Sequence, residues 1–324
     1  MSRVLSSTFL SGPLDFARQH VLALAEAQTQ AVDVRATHYV RNSPEEQETL
    51  AYSKISGTDR VAYADIELGQ AGAGYLGTHV VRISNQHAAG LFPIFWLPYR
   101  QNHTRKMTLK DKRDPAAARR AGGEPRVFFT SALNGCTVFI EGSLEHPTVT
   151  HANAGTFRVT QGPIDDTKTH DDRIGRTLEL ERRIKLLPQP KNVTDPVKAA
   201  GQTMSPSGIL HGHSYLPNYF RDNQARQNTI DATYVTGALV LLGIAPAAVQ
   251  STTVDHTALV FGFKSRTTEQ WEFWVQQRAR VAVRTAAGTQ STYVGRKVKP
   301  FWPGNKYVHV RGNTPYNAIV MMRG

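Results

Sequence analysis

Short β-prone runs broken by Gly, Pro and Asn, with no alternation of strand and helix patterns, constrain this chain most. Residues 91–99 (LFPIFWLPY), 126–131, 136–141, 148–151 and 156–160 read as strands, followed by 233–242, 257–264 and 270–284. This spacing predicts a two-layer β core with a few helices around it. The missing β-α alternation excludes a doubly wound parallel sheet. One amphipathic helix is expected over 13–28. Pro13 suits its first turn, and Leu14, Ala17, Val21 and Leu24 form one apolar stripe. Trp96, Trp271, Phe273 and Trp274 follow strand patterns and are expected in the core. Residues 161–206 are polar, with Asp pairs at 165–166 and 171–172. They read as a long surface excursion with a helix across 177–187.

Charge narrows the partners. The 324 residues carry 38 Lys+Arg against 26 Asp+Glu, a net charge of +12. Two segments hold the excess. Residues 105–120 contain seven Lys/Arg and two Asp, and read as an exposed basic loop. Residues 281–324 contain seven Lys/Arg and no acid, and read as a basic, strand-containing C-terminal extension of a domain spanning 1–280. Such surfaces suit an acidic protein face, an anionic membrane or nucleic acid. No helix-turn-helix, RRM-like aromatic pattern or KH-type Gly loop supports nucleic acid. No run has the length and apolarity of a signal peptide core or a membrane-spanning helix, so any export is expected to proceed without a cleaved signal.

Cys136 is the only cysteine, which excludes an internal disulfide framework and a Cys-rich zinc module. It follows an Asn134-Gly135 turn and opens a predicted strand. His151, fifteen residues on, closes another. If those strands are antiparallel neighbours, the imidazole comes beside the thiol. A nearby imidazolium lowers the thiol pKa from its free value of about 8.5. The thiolate can attack a carbonyl carbon, the histidine can protonate the leaving amine, and water can then cleave the thioester. The alternative is a small buried hydrophobe at Cys136 and an ordinary histidine at 151.

Further motifs bear on the choice. The turn reads Leu133, Asn134, Gly135, Cys136. Trp96, Leu97, Pro98 and Tyr99 lie upstream, as do Phe128, Phe129 and Thr130, with Thr130 six residues before the cysteine. Tyr219, Arg221, Asp222 and Asn223 follow, then Val235, Thr236 and Gly237. In this order the segments resemble the glutamine deamidase toxins, the family of Burkholderia lethal factor and the catalytic domain of cytotoxic necrotizing factor. The family turn is Leu-Ser-Gly-Cys, so Asn134 departs from it. The resemblance spans roughly residues 14–280. It implies an α+β fold: a β-sandwich of two mixed sheets with flanking helices and long loops. It also implies hydrolysis of a glutamine carboxamide in a target protein to glutamate, without a cofactor. Cys136 would be the nucleophile and His151 the general acid/base. Thr130 would support the ring, through its hydroxyl or its backbone carbonyl. An exported bacterial toxin or effector acting in the cytosol of a target cell is the expectation that follows.

Other outcomes stay open. A transglutaminase uses the same Cys-His pair with an amine in place of water. A non-catalytic basic binding module would make Cys136 mere packing. His211 and His213, and the group Asp165, Asp166, His170, Asp171 and Asp172, lack a full metal-ligand set at a recognised spacing.

Overall fold

The structure is a computed structural model. It describes residues 2–25, 38–41, 53–54, 61–70, 74–98, 103–134, 136–152, 208–210, 224–303, 305–310 and 318–323. Among these the chain is mostly β, with few helices: α1 (Ser2–Ser11), α2 (Pro13–Gln19), α3 (Pro115–Arg120) and α4 (Gln224–Leu242). The strands are β1 (Leu22–Leu24), β2 (His38–Arg41), β3 (Ser53–Lys54), β4 (Ala62–Leu68), β5 (His79–Ser84), β6 (Phe92–Leu97), β7 (His103–Thr108) and β8 (Val127–Thr130). They continue with β9 (Thr137–Gly142), β10 (Pro147–Ala152), β11 (Gly208–Leu210), β12 (Ser251–Lys264), β13 (Trp271–Thr285), β14 (Gly288–Trp302), β15 (Asn305–Val310) and β16 (Ala318–Arg323).

Eight strands form one sheet in the order β1-β5-β4-β6-β8-β12-β13-β14. Six form another, β11-β9-β10-β7-β2-β3, and β15 pairs with β16. The large sheet is mixed: β1 with β5 and β6 with β8 run parallel. The described pairs of the six-stranded sheet are all antiparallel, where two mixed sheets were expected. Both sheets feed one hydrophobic cluster. Every residue of β6 is buried, which suits a central strand covered on both faces. Phe9 of α1 stacks on Phe129 at 5.9 Å, Phe95 lies 5.8 Å from Trp271, and Phe128 meets Phe273 edge-on at 5.5 Å.

Four elements differ from the sequence expectation. The helix expected over 13–28 ends at Gln19, because a distant side chain takes over its hydrogen bonds. Gln276 Nε2 donates to the carbonyls of Ala17 (2.7 Å) and His20 (2.8 Å), and its Oε1 accepts the Leu22 N–H (2.8 Å). The chain then continues as β1. Arg278 donates to the Leu22 carbonyl, and a Cβ on Gly295 of β14 would lie 2.7 Å from Val21. The two ends of the large sheet therefore come close, and it nearly closes.

The strand expected over 233–242 is the second half of α4. Ile230, Tyr234 and Ala238 recur every four residues and are buried against Ala279, Val281 and Val283. Gly237 permits the approach: a Cβ there would sit 3.0 Å from Val294 Cγ1. The basic loop expected over 105–120 is largely ordered structure. Residues up to Thr108 belong to β7, and Leu109 is buried. Arg113 grips Asp111 with Nε (3.0 and 3.1 Å) and Nη2 (2.8 Å), and donates to Gly123 O at 2.7 Å. Asp114 caps α3 by accepting from the N–H groups of Ala116 and Ala117.

The boundary drawn at 280 falls inside β13, and residues 288–302 form β14 of the main sheet. Residues 156–160, the 161–206 excursion with its helix, the 211–213 histidines and the 219–223 motif lie outside the described residues. Among the described helices none is long and apolar enough to cross a membrane.

Candidate active site

Thr130 is the last residue of β8, in parallel register with Leu97, the last residue of β6. After it the chain leaves the large sheet. The connection is pinned to β12 at Leu133, whose N–H donates to Ala258 O at 2.8 Å and whose carbonyl accepts the Ala258 N–H at 3.0 Å. Beyond Cys136 the chain enters β9 of the other sheet. The turn at Asn134 is therefore part of a crossover between sheets. Gly135 itself lies outside the described residues. The hairpin is β9–β10, with His151 opposite Val138 and Ala152 opposite Thr137.

This register sets the faces. Side chains two residues apart on a strand share a face, so Val138 and Ile140 point the same way, together with Val149 and His151 across from them, and Cys136, one residue before β9, is buried in the same cluster. All five are buried in the core. Cys136 stands one residue before the last register pair, Thr137 opposite Ala152, and His151 is next to Ala152 on the partner strand. The anticipated strand pairing is the one found.

The contact between Thr130 and His151 joins the two sheets. Thr130 Oγ1 lies 2.8 Å from the Leu97 carbonyl and 2.7 Å from His151 Nδ1. A hydroxyl has one proton, and the carbonyl can only accept. Thr130 therefore donates to Leu97 O and accepts from His151 Nδ1–H. This fixes the tautomer: in the neutral ring the lone pair sits on Nε2. At Thr130 it is the hydroxyl that touches the ring. The Leu97 carbonyl, which orients that hydroxyl, carried no sequence signal, because any residue supplies a backbone carbonyl. Thr130, His151 and Cys136 are 0%, 2% and 4% exposed. In so dry a setting a directed hydrogen bond is worth more than in water, and a misdirected one costs more.

A His–carboxylate pair lies elsewhere. His256 of β12 is buried, with Nε2 2.6 Å from Asp231 Oδ1 of α4 and its ring edge-on to Tyr234. It ties the helix to the sheet. Among the described residues no group of three or more His, Cys, Asp or Glu is placed to hold a metal ion.

No family model matches this chain, and no curated protein does either. Among solved structures, the C-terminal domain of CNFy from Yersinia pseudotuberculosis is 11% identical, with a TM-score of 0.40, over 92% of this chain and 98% of that one. At that identity and score the likeness assigns this chain neither a fold nor an activity.

Proposed function

We propose that the chain is a Cys–His protein-glutamine deamidase. One observation carries the reading: the Thr130 hydroxyl, its proton committed to Leu97 O, holds His151 Nδ1–H, so that the basic Nε2 belongs to a ring on the strand paired with the one Cys136 leads into. The motif order around Cys136, and its resemblance to the deamidase toxins, supports the same reading.

His151 Nε2 takes the Sγ–H proton, and the thiolate attacks the carboxamide carbon of a substrate glutamine. The tetrahedral adduct collapses as the C–N bond breaks. The proton on Nε2 goes to the departing nitrogen, which leaves as ammonia. The resulting thioester is attacked by water that gives its proton to Nε2, and the C–S bond breaks to release glutamate and the thiol. Thr130 keeps Nδ1 protonated through both halves, as the third member of a triad does. The substrate is a side-chain amide of a target-cell protein, and no cofactor takes part.

A second reading has its own observation. Cys136 is nearly fully buried and belongs to the hydrophobic cluster, as a packing residue would. In that case the chain is a basic binding protein for an acidic or anionic surface. Mass spectrometry of a target-cell lysate treated with wild type or Cys136→Ser separates the readings. Glutamine-to-glutamate conversion at a defined site, seen only with wild type, establishes the deamidase. An amine adduct at that site establishes transglutamination. No modification, with an alkylation-inert Cys136, leaves the binding protein.

A further inference from the structure

We propose that Asp255 is a positioning residue for the Cys136 nucleophile, acting through Asn134; this rests on the deamidase reading. Asn134 Nδ2 donates to Asp255 Oδ1 at 3.3 Å, from the crossover to β12. The neighbouring Leu133 makes both backbone hydrogen bonds of a bridge to Ala258, three residues further along the same strand. The crossover is thus held at two successive residues, one by backbone and one by side chains, the second of them two positions before the nucleophile. Arg280, opposite Asp255 in the ladder, directs Nη2 to Ser291 Oγ at 3.5 Å.

The bridge at Leu133 fixes the position of the crossover but not its rotation, since a single bridge leaves the following φ and ψ free. The Asn134 side chain supplies the second constraint. This also gives a reason for asparagine where the resembled motif has serine. A serine hydroxyl sits one bond from Cβ, whereas the asparagine amide nitrogen sits two, so a serine withdraws the donor from Asp255. Here the motif residue and Asp255 work as a pair, 121 positions apart.

Two readouts on the full chain test the pair. Hydrogen exchange of the segment 131–137 reports the crossover itself, and the rate of Cys136 alkylation by iodoacetamide at pH 7 reports the nucleophile. Asp255→Ala is expected to speed exchange in that segment and slow alkylation about fivefold, the scale of one lost hydrogen bond. Asp255→Asn retains an acceptor for Asn134 and is expected to stay within about twofold of wild type on both. Asn134→Ser should match Asp255→Ala, and the double variant should be no worse than either single one, because both remove the same contact. Unchanged exchange in Asp255→Ala overturns the clamp. Faster exchange with unchanged alkylation overturns the positioning role while leaving the clamp. A wild-type Cys136 that reacts no faster than a model thiol overturns the nucleophile reading itself, whatever the exchange shows.

Discussion

The two ends of β6 and β8 hold polar groups beside the same core under different rules. At one end Leu97 and Thr130 meet His151, all buried, with each proton assigned to one acceptor. At the other end Phe92, Pro93 and Val127 border a groove of about 500 Å³ whose rim is charged. Arg126 there pairs with Glu269, and Lys264 bridges Glu269 (3.3 Å) and Glu124 (2.8 Å). Water reaches this network, screens it, and can replace any one partner. The Thr130 chain is buried away from such replacement by water. Precision at one end therefore depends on single hydrogen bonds, while the other end tolerates rearrangement. The basic segment 109–120 follows the end of β7 that pairs with Thr148, at the far end of the ladder from His151. Its cations Lys110, Arg119 and Arg120 are exposed away from the candidate active site.

Thr130→Val should produce the largest effect. It keeps the shape but strands His151 Nδ1–H and leaves the Leu97 carbonyl with only the Ser131 N–H at 3.3 Å, at about 1–3 kcal/mol of stability. Deamidation should fall further than stability alone explains, by about a hundredfold, because the ring loses the bond that fixes its tautomer. Thr130→Ser restores the hydroxyl and should recover most of the turnover. Urea unfolding and turnover measured on the same preparations check both. A Thr130→Val protein with wild-type turnover would erase the distinction between the two ends.

An intermediate effect is expected at His79, which is buried like the candidate active site but lacks its hydrogen-bond order. Its Nδ1 has no hydrogen-bond partner among the described residues, and its ring lies 5.1 Å from Phe16 and 4.2 Å from His20. Burial, then repulsion from His20, pushes its pKa down from 6.5 to about 4. Between those values the unfolded chain binds a proton that the folded chain refuses, so stability falls as pH drops from about 6.5 to about 4. His79→Gln should flatten that part of the profile. Urea midpoints at pH 7.5, 6 and 4.5 for both proteins measure the difference; parallel profiles would mean that His79 protonates without penalty.

The candidate active site was more legible in the sequence than the fold around it. Thr130, Cys136 and His151 stand near one another in the chain, and alternation on two short strands was enough to predict that His151 returns beside the start of the cysteine's strand. What escaped notice acts across long separations. Gln276 stops α2 from 256 residues away, and Asp255 reaches Asn134 across 121. Local pattern also misled where β-branched residues crowd a helix. Tyr234, Val235 and Thr236 favour strand by propensity, yet the apolar positions that meet β13 are spaced by four. In the basic segment the charge count overstates the free cations, since Arg113 is committed to Asp111.

Glu269→Gln should give the smallest effect and thereby sharpen the comparison. Partial burial raises the carboxyl pKa, but hydrogen bonds from Arg126 and Lys264, and their charges, more than offset this and hold it below the ordinary value of 4.5. A depressed carboxylate contributes stability that is present above its ordinary pKa and lost as pH falls through the lowered one. The contribution here is small, because Glu269 is half exposed and salt screens the pair. The midpoint of Glu269→Gln should lie closer to wild type than that of Thr130→Val, and the remaining gap should close in about 1 M salt, where the Debye length is about 3 Å. Deamidation should be unaffected, since β6 and β8 carry no proton from this end to His151. A Glu269→Gln protein that lost turnover at full stability would show that the charged rim takes part in binding the target.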